Sequence, residues 1–148
     1  MEIVFQKVSN FHRGILSELL SSIYAFDHRF QEICGAQWKE FDDFFFDNLH
    51  IADACGFITT LNAQPIGFAS WDPRNMPQYV IFGHNGIIPD QKGHGYGKQQ
   101  LQEAVDRIMY QNPGKIIVST NETLVPAQRM YESIGFVMTH TAGHDNGP

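Results

Sequence analysis

The residues best suited to chemistry are three glycines at alternate positions, Gly93, Gly95 and Gly97, within IIPDQKGHGYGKQQL from Ile87 to Leu101. They separate an apolar, strand-like run from a helix-like one. Glycine at a helix start costs conformational entropy, so the expectation is that something approaches this backbone too closely for a Cβ. Two known phosphate loops fail the test. The dinucleotide pattern G-x-G-x-x-G, begun at Gly93, meets Lys98 where its last glycine belongs. The Walker A pattern, read back from Gly97-Lys98, meets Lys92 at its first glycine and Gln99 in place of Ser or Thr. What remains is a turn whose N–H groups converge at a helix N-terminus, a site suited to an anion such as pyrophosphate. The competing reading is a tight structural turn with a glycine cap or bulge.

The flanking elements must hold that turn. Ile3 and Phe5 alternate in a first strand, and Ser9 and Asn10 are expected to cap a helix carrying Ile15, Leu16, Leu19, Leu20 and Ile23. WKEFDDFFFDNL reads as a second, shorter helix. CGFITTL and IGFASW flank NAQP and read as an antiparallel hairpin. QYVIFGHNGII is a further strand, and from Gly97 onward Leu101, Ala104, Val105, Ile108 and Met109 mark one helix face. KIIVST has the look of a buried strand, followed by a helical stripe through Ala127, Met130, Tyr131 and Ile134, and by FVMTH as a last strand. Strand, glycine loop, helix and strand have the length of a βαβ crossover, so those two strands should be parallel. With the antiparallel hairpin upstream, the fold class is α+β with a mixed sheet, in a single domain over 1–148.

At 148 residues with 43% hydrophobic and 18% charged residues, the chain can build a globular core. A net charge of −6 argues against a general nucleic-acid binder and leaves room for a cationic substrate. Cys34 and Cys55 have no metal or redox spacing and read as reduced thiols in a cytoplasmic protein. No signal peptide or membrane span is expected. The seven histidines show no paired ligand spacing, so no metal is expected.

The combination is more specific than the glycines alone. IIPDQKGHGYGKQQL resembles the acyl-CoA binding motif of the GNAT N-acetyltransferase superfamily, Arg/Gln-x-x-Gly-x-Gly/Ala after a strand ending in apolar-x-Pro. Lys92 stands at the Arg/Gln position, Gly95 and Gly97 at the small positions, and Ile87-Ile88-Pro89 at the strand end. PAQRMYESIGF, from Pro126 to Phe136, is similar to the next motif, Ala-x-x-x-Tyr-x-x-x-Gly-Phe. The likeness is strong from Tyr79 to Phe136, and upstream only the element order supports it. Many members carry an Asn seven residues before the helix tyrosine, where this chain has Leu124. After FVMTH only TAGHDNGP remains, so the usual final strand is expected to be missing or supplied by another protomer in a homodimer.

The resemblance implies a mostly antiparallel mixed sheet, with a central parallel pair splayed around acyl-CoA and helices on both faces. It implies acetyl-CoA as co-substrate and acetyl transfer to a primary amine of a small molecule, amino acid or peptide, by direct attack in a ternary complex. Ile87 and Ile88 would bind the pantetheine arm and polarise the carbonyl. Lys92, Gly93, His94, Gly95, Tyr96, Gly97 and Lys98 would surround the phosphates. Tyr131 matches the family's general acid: a phenol with a pKa of about 10 can protonate a thiolate without being ionised at neutral pH. The competing reading is a core tyrosine.

A primary amine with a pKa of about 10.4 must lose a proton to react. His84, three residues before Ile87, is the best-placed base because imidazole titrates near neutrality, although it could equally point into the core. Phe26, Phe30, Trp71 and Asp72 fall in segments that shape the acceptor pocket in the family. Asp27, Glu32, Asp42, Asp43 and Asp72 could attract a cation or simply solvate a face. A second class of function is a non-catalytic acyl-CoA sensor or partner-binding module, separable by thiol release with amines.

Overall fold

The computed structural model describes residues 2–118 together with Tyr131, Glu132 and Gly135. The contacts divide the chain into two compact units, Met1–Val118 and Ser119–Pro148. Tyr131 and Glu132 are helical, and Gly135 lies in a turn with a φ of 108°. The FVMTH strand and Leu124 lie outside the described residues, as do the expected continuation of KIIVST beyond Val118 and most of the following helix.

The first unit is built as β1 (Ile3–Gln6), α1 (Ile15–Ile23), α2 (His28–Asp47), α3 (Leu49–Cys55), β2 (Gly56–Leu61), β3 (Gln64–Asp72), β4 (Val80–Ile87), α4 (Tyr96–Met109) and β5 (Ile116–Ile117). The sheet runs β1-β2-β3-β4-β5, with three antiparallel pairings followed by a parallel one between β4 and β5. The expected mixed α+β sheet is what forms. The hairpin turns on Asn62 and Ala63, both at positive φ (52° and 69°), the backbone that a two-residue turn between right-twisted strands requires.

Two differences have clear physical causes. Ser9 and Asn10 do not cap α1; they form a short 3-10 turn, and the helix starts only at Ile15. Its N-terminal amides are satisfied from a distance: the buried carboxylate of Asp42, on α2, accepts from the backbone N–H groups of Gly14 (2.8 Å), Leu16 (2.8 Å) and Ser17 (3.2 Å). The second helix starts ten residues before the expected WKEFDDFFFDNL and runs for 20 residues, and α3 adds a further one. Phe30, Cys34, Trp38, Phe41 and Phe45 keep helical spacing along α2 and reach the core. The exposed Phe44 beside them blurs that period in the sequence.

The core on one side of the sheet joins Leu16, Leu19, Leu20 and Ile23 of α1 to Trp38 and Phe45 of α2 and to Ile58 and Phe68 of the strands. Helix α4 buries Leu101, Ala104 and Ile108, with Gln100 in the same stripe.

Candidate active site

The sheet is deformed where β4 leads into the glycine loop. Ala69 pairs with Asn85 and Trp71 with Phe82, so Gly83 and His84 together face the single residue Ser70. This bulge turns the strand and takes an amide out of the regular ladder. The buried Ser70 supplies the missing partner: its Oγ accepts from the His84 N–H at 3.1 Å. Among the described residues, β4 pairs with β5 through Val80↔Ile116 and Ile81↔Ile117. Ile88 N–H donates to Ile66 O at 2.8 Å and keeps the strand end on β3.

Past Pro89–Gln91 the chain reaches the glycines. Gly93 (φ 88°) and Gly95 (φ 81°) adopt left-handed backbone, and an added Cβ at either would meet nothing within 4 Å. The need for glycine is therefore conformational. The expected crowding is not present in the protein itself, and the space above the turn is open. Gly95 is the N-cap of the fourteen-residue α4, and no side chain caps it. The result is a row of N–H groups at a helix N-terminus, accessible from outside, which suits an anion. Gly97 is helical, in the first turn, with Tyr96 half-buried and His94 packed on Tyr96 at 5.6 Å between ring centroids. Lys98 is exposed in the same turn.

Lys92 reaches across to the α1–α2 connection: its Nζ lies 5.7 Å from the centroid of the Phe26 ring. Phe26 in turn meets Phe30 (5.5 Å) and Tyr24 (6.3 Å), and Tyr24 stacks on Trp38 at 5.6 Å. The structure thus brings Phe26, Phe30 and Lys92 together. It does not bring Trp71 and Asp72 to them. Trp71 lines a cavity of about 210 Å³ with Cys55, Met76, Arg107 and Ile108, on the α4 side of the sheet. Asp72, at the end of β3, is held by Arg74 through both carboxylate oxygens, at 2.7–3.1 Å. That guanidinium lowers the Asp72 pKa.

Most of the expected cation-attracting carboxylates are likewise engaged. Asp27 caps α2 through the Arg29 N–H and pairs with its guanidinium, which holds the carboxyl down at about 2. Asp43 pairs with Arg13 and Lys39, and Asp42 serves the α1 amides. Glu32 is exposed on α2.

His84 is half-buried against Phe41 (4.8 Å, edge to face) and Phe68 (6.3 Å). Burial among these rings lowers its pKa from the ordinary 6.5, so the imidazole is neutral at neutral pH and able to accept a proton. Tyr131 is buried within a helical stretch of the second unit.

One constellation was not anticipated. Gln100, completely buried, accepts from Thr59 Oγ1 (2.7 Å) and donates through Nε2 to Phe68 O (3.1 Å), Gly86 O (3.1 Å) and Asn85 Oδ1 (2.8 Å). A polar residue on the apolar stripe of α4, four and eight residues before Ala104 and Ile108, was the available signal.

The chain matches the acetyltransferase (GNAT) family over residues 18–136. It belongs to that family. The GNAT assignment fits the mixed sheet and the strand–glycine-loop–helix order. No curated protein matches the chain. Among solved structures it is similar to a GCN5-related N-acetyltransferase from Ralstonia eutropha (TM-score 0.70, 13% identity, covering 96% of each chain). It is also similar to the NatC complex bound to Gag peptide and CoA (0.70, 19%, 99% of this chain and 94% of that one). An aminoglycoside N-acetyltransferase in complex with CoA aligns with a TM-score of 0.68 at 15% identity over 96% and 92%. At these identities the likeness is one of GNAT fold. No helix among the described residues is long and apolar enough to cross a membrane. Nor do those residues include a group of three or more His, Cys, Asp or Glu placed to hold a metal.

Proposed function

We propose that this GNAT protein is an acetyl-CoA-dependent N-acetyltransferase acting on a primary amine, in one domain spanning both units. The observation that carries the reading is the open, uncapped N-terminus of α4 behind Gly93 and Gly95. That turn offers an anion its N–H groups without obstruction, and the family match extends across both units. CoA is named in two of the similar structures.

In this reading the amides from Gly93 to Lys98 take the pyrophosphate, with Lys92 exchanging its contact with Phe26 for a phosphate. The pantetheine arm lies along Ile87 and Ile88. His84, kept neutral by burial, accepts the proton of the incoming ammonium. The amine nitrogen then attacks the thioester carbon in a ternary complex, the C–S bond breaks as the Tyr131 phenol protonates the departing thiolate, and the second proton shed by the new amide nitrogen passes through water to restore the phenol. With Asp27, Asp42, Asp43 and Asp72 already engaged, the acceptor is met by the aromatic faces of Phe26 and Phe30 in preference to a carboxylate. Two free cysteines agree with a reducing, cytoplasmic setting.

The test is acetyl-CoA-dependent thiol release over a panel of amines, amino acids, polyamines and peptides, with the acetylated product confirmed by mass. Release that depends on one class of amine supports the reading. Tight acetyl-CoA binding with no release for any amine would favour a non-catalytic sensor.

A further inference from the structure

The Gln100 carboxamide has only one orientation that satisfies its surroundings. Phe68 O and Gly86 O, on paired residues of β3 and β4, can only accept, so Nε2 must face them. Oε1 is then left to take the Thr59 hydroxyl. Nε2 has two hydrogens for three acceptors, so one N–H is shared; because an amide NH2 donates and never accepts, the atom of Asn85 at 2.8 Å from it must be the oxygen, which fixes that carboxamide with Oδ1 toward Gln100. The N–H donors of Asn85 are consequently turned away from Gln100, at a half-buried position on β4.

That position matters. Asn85 and Gly86 are the residues between His84 and Ile87, that is, between the base and the pantetheine-binding end of the strand. Gly86 has no side chain, and a Cβ there would run into Ile23 Cγ2 at 2.7 Å. Asn85 is thus the one side-chain donor in that interval.

We propose that Asn85 donates an N–H to the carbonyl oxygen of the bound thioester, and that Gln100 is the positioning residue that holds it in the donating orientation. The inference rests on the acetyl-CoA reading above. A fixed amide donor stabilises the negative charge that develops on this oxygen when the amine attacks, and it adds to the backbone N–H of Ile87, since the Ile88 N–H is already given to Ile66 O. Fixing the orientation beforehand requires a fully satisfied buried network, which is what Gln100 supplies by joining β2, β3, β4 and α4.

The test uses Asn85→Leu, Asn85→Asp and Gln100→Leu in the full chain. Asn85→Leu leaves both Nε2 hydrogens of Gln100 with backbone acceptors, so the fold is kept; Asn85→Asp keeps the Gln100 contact and removes the outward donor. The primary readout is the infrared carbonyl stretch of bound acetyl-CoA carrying carbon-13 at the thioester carbonyl, which needs no acceptor. Relative to wild type, the stretch moves to higher frequency in both Asn85 variants and in Gln100→Leu. With the amine that wild type uses fastest, kcat falls about a hundredfold, while Kd for acetyl-CoA stays within about threefold because the contact strengthens in the transition state. An unchanged carbonyl frequency in Asn85 variants that bind acetyl-CoA overturns this inference alone. If wild type fails to bind acetyl-CoA, the underlying reading falls with it. If Gln100→Leu does not fold, the Asn85 variants still decide.

Discussion

Lys92 Nζ sits 5.7 Å above the Phe26 ring, so the glycine loop and the α1–α2 connection touch through one exposed cation–π pair. Exposed pairs of this kind are worth about 0.5–1 kcal/mol. A double-mutant cycle with Lys92→Ala and Phe26→Ala should show a coupling of about that size in the free protein. Saturating acetyl-CoA, whose phosphates compete for the ammonium, should bring the coupling close to zero. A coupling unchanged by the ligand would mean that Lys92 does not face the phosphates.

His84 links burial to pH. Its pKa is lowered in the fold, so the unfolded chain takes up the proton at a higher pH than the native one. The stabilising contribution is complete above 6.5, the ordinary value, and is lost as pH falls through the native pKa. The melting temperature should therefore decline on acidification below that point, and His84→Gln should flatten part of the decline. If His84 is the base, the acid limb of kcat/KM should also lie below pH 6.5 and disappear in the variant. A pH–rate profile and melting curves on both proteins check this.

Asp42 is a structural carboxylate, and its removal should affect stability far more than chemistry. Asp42→Ala strips the α1 N-terminus of three acceptor contacts. A loss of about 2–3 kcal/mol is expected in urea unfolding, because hydrogen bonds to a charged acceptor are among the stronger ones. A loss under about 0.5 kcal/mol, the range of featureless surface positions, would show that solvent caps the helix equally well.

Tyr131→Phe tests the proposed general acid. Removing only the hydroxyl keeps the ring, so melting temperature and acetyl-CoA affinity should change little. The value of kcat should fall by roughly 10²–10⁴, the usual worth of such a proton transfer. Near-normal kcat with a small stability loss would make Tyr131 a core residue and remove it from the mechanism.

What could be read from the sequence divides along a physical line. Gly93 and Gly95, the turn within NAQP and the Leu101, Ala104 and Ile108 stripe of α4 are local, written in neighbouring residues; at their margins Gln64 and Pro65 join β3 and Met109, expected on the same helix face, is exposed. The start of α1 was misplaced because its cap comes from Asp42, twenty-six residues beyond Leu16. The bulge at Gly83 and His84, completed by Ser70, and the Gln100–Asn85 pair depend on which strands lie side by side. No window along the chain contains that information. A lone glutamine in an apolar stripe was visible, but its partners were not.

Occupation of the open turn at Gly95 by acyl-CoA underlies every step proposed for this protein. The measurement is thermal unfolding of wild type and Gly95→Glu with acetyl-CoA, ATP and NADH. Gly95→Glu places a carboxylate where the phosphates should lie, and circular dichroism checks that its fold survives the strained φ of 81°. For wild type, acetyl-CoA at a hundred times its Kd should stabilise by about 2.7 kcal/mol, with ATP and NADH far behind, and Gly95→Glu should show no acetyl-CoA effect. Equal stabilisation by ATP, or a folded Gly95→Glu that binds acetyl-CoA as wild type does, would contradict it.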